Sequence, residues 1–292
     1  MTAQGDRWAQ WILTNRFGGD TELRERTMPM LYGIRDRVLS GARIAPGDDV
    51  LDVGCGDGLL GVGALDLVGD TGTVTFADIS ADLVEQCRQG TTELPGRDRC
   101  RFIHTGLPAL DGIATGSIDV AMTRSVLIYV DDKRASFEAL FRVLRPGGRL
   151  SIFEPINRFG SPEPANRLWG FDATGLEALA AKVKRASEWY LPPDNPMTDF
   201  DERDLLEYAE SAGFTELHLD YRADVDRQPI EIDLDTMLRF APNPLVPPYG
   251  EVLAEALTPA ERETLLARQR EQLAAGARPH RRLGVAYLVA VR

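Results

Sequence analysis

A glycine-rich stretch, VLDVGCGDGLLG at residues 50–61, is the part of the sequence best suited to bind a ligand. It reads as a buried strand that enters a tight turn and then a helix, with glycines where the backbone must approach something closely. That partner is a dinucleotide, a phosphate, another nucleoside or only the following helix. A phosphate P-loop is excluded because the glycines are not followed by Gly-Lys-Ser or Gly-Lys-Thr.

The dinucleotide alternative is favoured by a motif and opposed by a charge. Read from Gly56, the stretch matches GxGxxG, and Asp78 ends the second predicted strand at roughly the ~20-residue distance expected of a ribose-binding acid. Asp52, however, lies inside the first strand, where its carboxylate repels a pyrophosphate and attracts an ammonium group. An ammonium near Asp52 and a ribose near Asp78 describe a nucleoside linked to an amino acid.

The elements that must position these groups alternate along the chain. Strands are predicted at 49–53, 73–77, 101–105, 118–123, 149–154 and 214–221, and in the final LGVAYLVAVR. Helices are predicted at 5–17, 21–42, 58–68, 80–90, 132–144 and 200–212. This alternation predicts an α/β fold of right-handed βαβ units, with a parallel sheet and helices on both faces.

Two segments interrupt the alternation and are interpreted as cap insertions at the ligand-binding end of the sheet. The first is rich in proline, asparagine and aromatic residues, and the second contains predicted helices near 233–240 and 258–275. The expected division begins with an N-terminal helical segment at 1–45. The core is expected in three pieces, at 46–155, 200–222 and 283–292, and the two caps are expected at 156–199 and 223–282.

Four blocks, in order, resemble the class I S-adenosylmethionine-dependent methyltransferases: VLDVGCGDG (50–58), TFADIS (75–80), DVAMTRSVLIYV (119–130) and FRVLRPGGRLSIFEP (141–155). The resemblance implies a Rossmann-like, seven-stranded, mostly parallel sheet whose last strand is antiparallel. It also implies S-adenosyl-L-methionine as cofactor, S-adenosyl-L-homocysteine as product, residues 46–155 as the cofactor-binding core and residues 1–45 as a lid.

The same resemblance implies the roles of individual residues. The turn of Gly54, Cys55, Gly56 and Gly58 wraps the methionine part of the cofactor, and Cys55 only fills the second slot. Asp52 orients the ammonium, Asp78 takes both ribose hydroxyls and Ile79 covers one face of the adenine. Arg124 and Ser125 border the methionine part.

One block departs from the family pattern. Many relatives carry an aspartate after the third strand that binds the adenine amino group, whereas this chain has FIHTGLPAL at 102–110. His104, Thr105 or a backbone amide near Gly106 and Leu107 is expected to substitute.

Candidate catalytic and substrate-binding residues lie outside the turn. Glu154 ends the fifth strand and could accept a proton from the methyl acceptor; the alternative is a carboxylate that hydrogen-bonds a nearby loop. Tyr32 is a candidate lid contact or a packed aromatic residue. Trp169, Phe171 and Tyr190, in the first insertion, either line an apolar pocket or form the core of the cap.

Composition limits the partners. A net charge of −12 and a pI of about 4.8 argue against nucleic acid. Cys55, Cys87 and Cys100 fit no zinc ligand spacing, so no metal is expected, and they indicate reduced thiols of a cytoplasmic protein. The first 20 residues do not read as a signal peptide, and stable membrane insertion is not expected. A homodimer is left open.

These observations predict a methyltransferase that acts on a small aromatic or apolar metabolite in natural-product tailoring. The acceptor atom, carbon, nitrogen or oxygen, stays open. The alternatives are a methyltransferase for a quinone or lipid-like substrate, and a cofactor-binding module of the same fold without methyl transfer.

Overall fold

The computed structural model describes residues 6–190, 192, 194–226 and 233–292, and for Trp189 the backbone only. Predicted segments that include 1–5, 191, 193 or 227–232 lie partly outside the described residues. The chain divides into two compact units. The first, called the sheet unit, comprises residues 29–156, 199–222 and 285–292; the second, called the insertion unit, comprises residues 1–28, 157–198 and 223–284.

The sheet unit is built on the predicted seven-stranded sheet. Its strands are β1 (Asp49–Val53), β2 (Thr73–Asp78), β3 (Cys100–His104), β4 (Ile118–Arg124), β5 (Leu144–Pro155), β8 (Thr215–Val225) and β9 (Arg282–Val291), with β6 and β7 in the insertion unit. The order is β3-β2-β1-β4-β5-β9-β8. The first five strands are parallel, and β9 pairs antiparallel with β5. The predicted fold class is confirmed.

The strand order reverses between β1 and β4. The chain runs from β1 outwards through β2 and β3, then returns to place β4 on the other side of β1, with Val53 opposite Thr123. Ligands of open α/β sheets bind in the crevice outside the carboxyl ends of strands at such a point. The glycine turn follows β1 and Arg124 ends β4, so the topology brings these two motifs to one place.

Helices of the sheet unit connect these strands. They are residues 29–42 of α2 (Thr21–Ala42), then α3 (Leu59–Ala64), α4 (Ala81–Gly90), α5 (Lys133–Val143) and α7 (Glu202–Ala212). The Ser80 hydroxyl accepts the Leu83 N–H at 3.0 Å and caps the N-terminus of α4. Helix α3 ends at Ala64, four residues earlier than predicted.

The insertion unit has its own apolar core. It contains α1 (Arg7–Gln10) with a π-helical turn at Trp11–Asn15, β6 (Arg167–Leu168), β7 (Phe171–Asp172), α6 (Glu177–Tyr190), α8 (Leu234–Arg239), α9 (Tyr249–Ala256) and α10 (Pro259–Ala274). Phe171, Val183, Tyr249 and Leu253 are among the buried core residues. Thr258 and Glu261 form a capping box that begins α10 one residue from the predicted start.

Helices α6 and α9 were not predicted. The prolines and aromatic residues that flank α6 suggested an irregular segment, although Leu179, Ala180 and Val183 recur at helical spacing. The insertion unit includes residues 157–198 and 223–284, and residues 29–45 group with the sheet. The predicted division into lid, core and caps stays a prediction.

Candidate functional site

The turn after β1 has a backbone that only glycine adopts without strain. Gly54, Gly56 and Gly58 have φ values of +67°, +55° and +84°. The Gly54 and Cys55 N–H groups donate to the Ala77 carbonyl at 2.8 and 3.0 Å, which ties the turn to the end of β2. A Cβ at Gly54 would lie 2.3 Å from Val126 Cγ2. The backbone is therefore bare and closely held where a ligand could approach it.

Asp78 joins the end of β2 to the same turn. Its Oδ2 accepts the Gly56 N–H at 2.9 Å, and its Oδ1 accepts the Ser80 N–H at 2.9 Å. The side chain is 6% exposed. A carboxylate has about four acceptor positions on its two oxygens, so Asp78 can still accept bonds from a ligand diol.

Ile79 and Gly106 lie together beside Asp78. Ile79 is 53% exposed, an unusual position for a large apolar side chain directly after a buried strand. A Cβ at Gly106 would lie 2.7 Å from Ile79 Cγ2, and Leu107 follows, partly exposed. His104 contacts the Ile79 carbonyl at 2.9 Å through Nε2. An apolar surface is thus available next to the carboxylate, as the cover of a flat ring requires.

Asp52 is a buried carboxylate directly beneath the turn. It is 1% exposed, and its Oδ2 accepts the Gly61 N–H at 2.8 Å. Burial raises the pKa of Asp52 to about 7, while the Gly61 hydrogen bond and the charge of Arg124 oppose that rise. A cation bound nearby would favour the ionised form, so the residue fits the predicted role beside an ammonium.

Arg124 and Ser125 end β4 next to this carboxylate. Ser125 has a left-handed φ of +56°, and its N–H donates to the Phe153 carbonyl at 2.9 Å. Arg124 is half-buried. The predicted cofactor residues therefore gather at the carboxyl ends of β1, β2 and β4.

The contacts of Glu154 are those of a carboxylate that hydrogen-bonds a nearby loop, rather than those of an accessible base. It is completely buried; its Oε1 accepts the Val126 and Leu127 N–H groups, each at 3.0 Å, and its Oε2 accepts Ile128 N–H at 3.2 Å. Burial raises the pKa of Glu154 to about 7, and these bonds oppose the rise. A role in proton transfer stays a prediction, and the contacts assign the carboxylate to holding the loop after β4.

That loop carries a residue that sequence reasoning missed. Val126 presents its side chain to Gly54, so the Glu154 carboxylate fixes one wall of the glycine turn through the backbone of residues 126–128. A lone apolar residue after a strand gives no signal of this role. Only the register of β1, β4 and β5 places the three groups together.

Two cysteines lie under the turn. The Sγ atoms of Cys55 and Cys87 are 3.7 Å apart, and the Cys87 thiol donates to the Gly56 carbonyl at 3.3 Å. The hydrogen bond with Cys87 and burial both raise the pKa of the Cys55 thiol. A protonated, buried thiol is a poor nucleophile, which supports the interpretation of Cys55 as a space-filling member of the turn.

Other glycines of the stretch serve packing. A Cβ at Gly61 would lie 2.3 Å from Phe76 Cε1, which supports the interpretation that this glycine allows α3 to approach the sheet. A Cβ at Gly63 would instead meet the side chains of Arg35 and Leu39 at 2.9 Å, so this position allows α3 to approach α2.

The remaining candidates lie on helices or in the insertion core. Tyr32 is 42% exposed on α2, with the Arg35 guanidinium 4.7 Å from its ring centroid. Phe171 is 2% exposed, and Trp169 stacks on Tyr249 with ring centroids 4.3 Å apart. The Tyr190 hydroxyl donates to Glu255 at 2.7 Å. Their predicted ligand contacts stay predictions, and the aromatic contacts described here are those of a cap core.

A comparison with protein families matches residues 50–148 to a methyltransferase domain. This match covers the turn, Asp78 and the end of β4. Residues 50–148 are thus similar to a methyltransferase domain. An O-methyltransferase from Pyrenophora dematioidea is 32% identical over 127 residues, covering 44% of this chain and 46% of the relative. The chain thus spans less than half the length of this curated relative.

Solved structures extend the likeness to most of the chain. A geranyl diphosphate methyltransferase in complex with SAM has a TM-score of 0.52 at 20% identity and covers 94% of this chain and 92% of its own. The [4+2]-cyclase SpnF has a TM-score of 0.52 at 19% identity, and the match covers 89% of this chain and 80% of SpnF. Both share the fold of the methyltransferase domain, and because one is a cyclase and the other a methyltransferase, this fold hosts more than one reaction.

The described residues show neither a metal site nor a membrane-spanning helix. They contain no group of three or more histidine, cysteine or acidic side chains placed to hold a metal ion. Among them, too, no helix combines the length and the apolar character that crossing a membrane requires.

Proposed function

We propose that the chain is an S-adenosylmethionine-dependent methyltransferase that acts on a small aromatic or apolar metabolite. The observation that carries the proposal is the junction of the glycine turn and Asp78, in which the carboxylate accepts the Gly56 N–H at 2.9 Å. That junction combines a bare backbone with an acceptor for a ribose diol. The methyltransferase match over residues 50–148 supports the same cofactor.

The residues present fit this cofactor. Gly54, Gly56 and Gly58 leave three positions of the turn without side chains, and a carboxylate such as that of Asp78 has about four acceptor positions on its two oxygens. Ile79 offers an exposed apolar surface next to Asp78. Asp52 would balance the ammonium charge from below the turn.

The cofactor supplies an electrophilic methyl group when bound. The chain's own contribution is orientation and exclusion of water, because displacement at a methyl carbon needs the two reactants held in line. Glu154 contributes by fixing residues 126–128, and through Val126 the wall of the turn. A base for the acceptor proton is not assigned, since both Glu154 oxygens are held by backbone amides.

Calorimetric titration with S-adenosylhomocysteine tests the proposal. We expect wild type to bind and Asp78→Ala to lose about 10- to 100-fold in affinity, since hydrogen bonds to a charged group contribute ~1.5–3 kcal/mol. Asp82→Ala, which removes an exposed carboxylate from the first turn of α4, is the matched control and should bind like wild type. Absence of binding in folded wild type would contradict the proposal.

A second candidate is a fold relative that binds the cofactor without transferring its methyl group. The likeness to a [4+2]-cyclase favours keeping it. Incubation with methyl-labelled cofactor and a panel of phenols, indoles and quinones separates the two. Transfer of label to any acceptor supports the first proposal; binding without transfer across the panel supports the second. A small-molecule partner, a homodimer and a cytoplasmic location stay predictions.

A further inference from the structure

The positively charged guanidinium of Arg281, in the insertion unit, has no ion-pair partner in the described part of the chain. Its backbone is held on both sides, because the Asp226 N–H donates to its carbonyl at 2.8 Å and its own N–H donates to Asp226 Oδ1 at 3.3 Å. Its side chain is only partly exposed. Among the described residues, its guanidinium makes no hydrogen bond or ion pair. A guanidinium largely withdrawn from water costs free energy unless an anion accompanies it.

The acidic groups near Arg281 are engaged elsewhere. Glu163 attracts the guanidinium, but its Oε2 and Oε1 accept the Trp169 and Gly170 N–H groups at 2.9 and 2.6 Å. Asp226 Oδ1 lies 2.5 Å from His280 Nδ1. Burial lowers the pKa of Arg281, and the attraction to Glu163 only partly opposes this. Arginine stays protonated at neutral pH in any case, so the charge persists.

An aromatic segment lies against the same stretch of backbone, since the His280 N–H donates to the Gly170 carbonyl at 2.8 Å and Glu163 also accepts the Trp169 N–H. Glu163 holds Trp169 in a left-handed conformation, φ +54°, which is strained for a residue with a large side chain. The Trp169 ring stacks on Tyr249 at 4.3 Å with an interplanar angle of 23°. The buried Gln269 amide donates to the Tyr249 hydroxyl at 2.8 Å and leaves its oxygen without a partner. The segment that Glu163 contacts thus contains a strained aromatic residue, and the ring on which it stacks is held by an amide whose oxygen has no partner among the described residues.

We propose that the insertion unit binds an aromatic carboxylate, with the Arg281 guanidinium pairing with the carboxylate and Trp169 contacting the ring. A guanidinium presents parallel N–H donors that match a carboxylate, and a flat aromatic body stacks on an indole. That this ligand is the methyl acceptor rests on the proposed function, whereas the binding does not.

The test is titration of benzoate into wild type and variants at constant ionic strength, followed by calorimetry or ligand-observed NMR. We expect wild type to bind benzoate and Arg281→Gln to bind it about tenfold or more weakly, as for a lost charge-assisted pair. Arg281→Lys should retain part of the affinity because it keeps the charge. Arg278→Gln removes the same charge from an exposed position three residues away and should bind like wild type.

Two further ligands test the contributions of the aromatic ring and of the negative charge separately. Benzamide matches benzoate in shape but lacks its charge. Wild type should bind benzamide more weakly than benzoate, and wild type and Arg281→Gln should bind benzamide with equal affinity. Inorganic phosphate should bind more weakly than benzoate. Equal affinity of Arg281→Gln for benzoate, no binding of benzoate by wild type, or phosphate binding as tightly as benzoate would each overturn the inference. Thermal melting confirms that every variant is folded.

Titration of S-adenosylhomocysteine into the same samples keeps the two proposals apart. Cofactor binding with no benzoate binding contradicts only the anion site. Benzoate binding that depends on Arg281, without cofactor binding, contradicts only the proposed function.

Discussion

The glycine turn of the sheet unit and the aromatic segment of the insertion unit were both ligand candidates, and they are built in opposite ways. In the turn, three of the five residues are glycines and the backbone is held by neighbours, with Asp78 and Asp52 fixed around it. In the segment, Phe171 is buried and Trp169 stacks on Tyr249. Missing side chains are a specific sign of close backbone approach, whereas aromatic residues fill cores as readily as they line pockets.

The largest expected effect tests the core interpretation of the aromatic segment. Phe171→Ala should lower the free energy of unfolding by about 3–5 kcal/mol, because it removes a buried ring and leaves a cavity. Chemical denaturation measures it. Phe159→Ala, which alters a partly exposed residue, is the comparison variant and should cost less. A negligible loss for Phe171→Ala would instead place its ring in an open pocket.

The next effect tests the turn. Gly54→Ala should destabilise the protein by about 2–4 kcal/mol, since left-handed strain adds to overpacking against Val126. Binding of S-adenosylhomocysteine should fall with it. Gly147→Ala is the matched control, because it has φ +77° but open space around its Cβ. If both variants lose the same stability, the close approach to Val126 contributes nothing.

Glu154 distinguishes a structural carboxylate from a catalytic one. Glu154→Gln should cost about 1–3 kcal/mol of stability, because its amide NH₂ would face backbone N–H donors. Cofactor affinity should fall together with stability if the loop supports the turn. Calorimetry and denaturation of the same samples show this. Unchanged stability and cofactor affinity with lost methyl transfer would restore the role of a base.

Stability should also depend on pH through the two buried carboxylates. Burial raises the pKa values of Asp52 and Glu154 from 3.8 and 4.5 to about 7 in the folded chain. Between those values the folded state binds more protons than the unfolded state, so this contribution is complete at low pH and is lost as pH rises towards 7. Each group adds a slope of at most about 1.4 kcal/mol per pH unit.

Denaturation at pH 5, 6, 7 and 8 measures that slope. Asp52→Asn keeps an acceptor for the Gly61 N–H and should flatten the profile, whereas Asp82→Asn, at an exposed position, should not. A wild-type profile identical to that of Asp52→Asn would mean that Asp52 titrates near its ordinary pKa.

The smallest effect sharpens the comparison within the aromatic segment. Tyr190→Phe removes only the hydroxyl that donates to Glu255, so it should cost about 1 kcal/mol or less. Thermal unfolding detects the difference from Phe171→Ala. A loss as large as that of Phe171→Ala would mean that the Tyr190 hydroxyl holds the unit together.

Much of the sheet unit was predictable because its signals are local. Buried strands followed by glycine turns, and Asp78 at the end of a strand, report their positions through residue type and spacing alone. The insertion unit was less predictable. Helix α6 was missed because its flanking prolines and aromatic residues masked its apolar spacing, and α9 was missed within a segment interpreted as irregular.

The sequence by itself determined the alternation of strands and helices in the sheet unit, the turn between β1 and α3, and the acidic residues that end or occupy strands. These follow from periodicity and from the backbone freedom of glycine. Only the tertiary structure decided that Glu154 holds residues 126–128, that Val126 meets Gly54, and that the Arg281 guanidinium has no hydrogen-bonding or ion-pair partner among the described residues. Such contacts join residues far apart in the chain, and no spacing along a sequence records which distant groups satisfy one another's charge and hydrogen bonds.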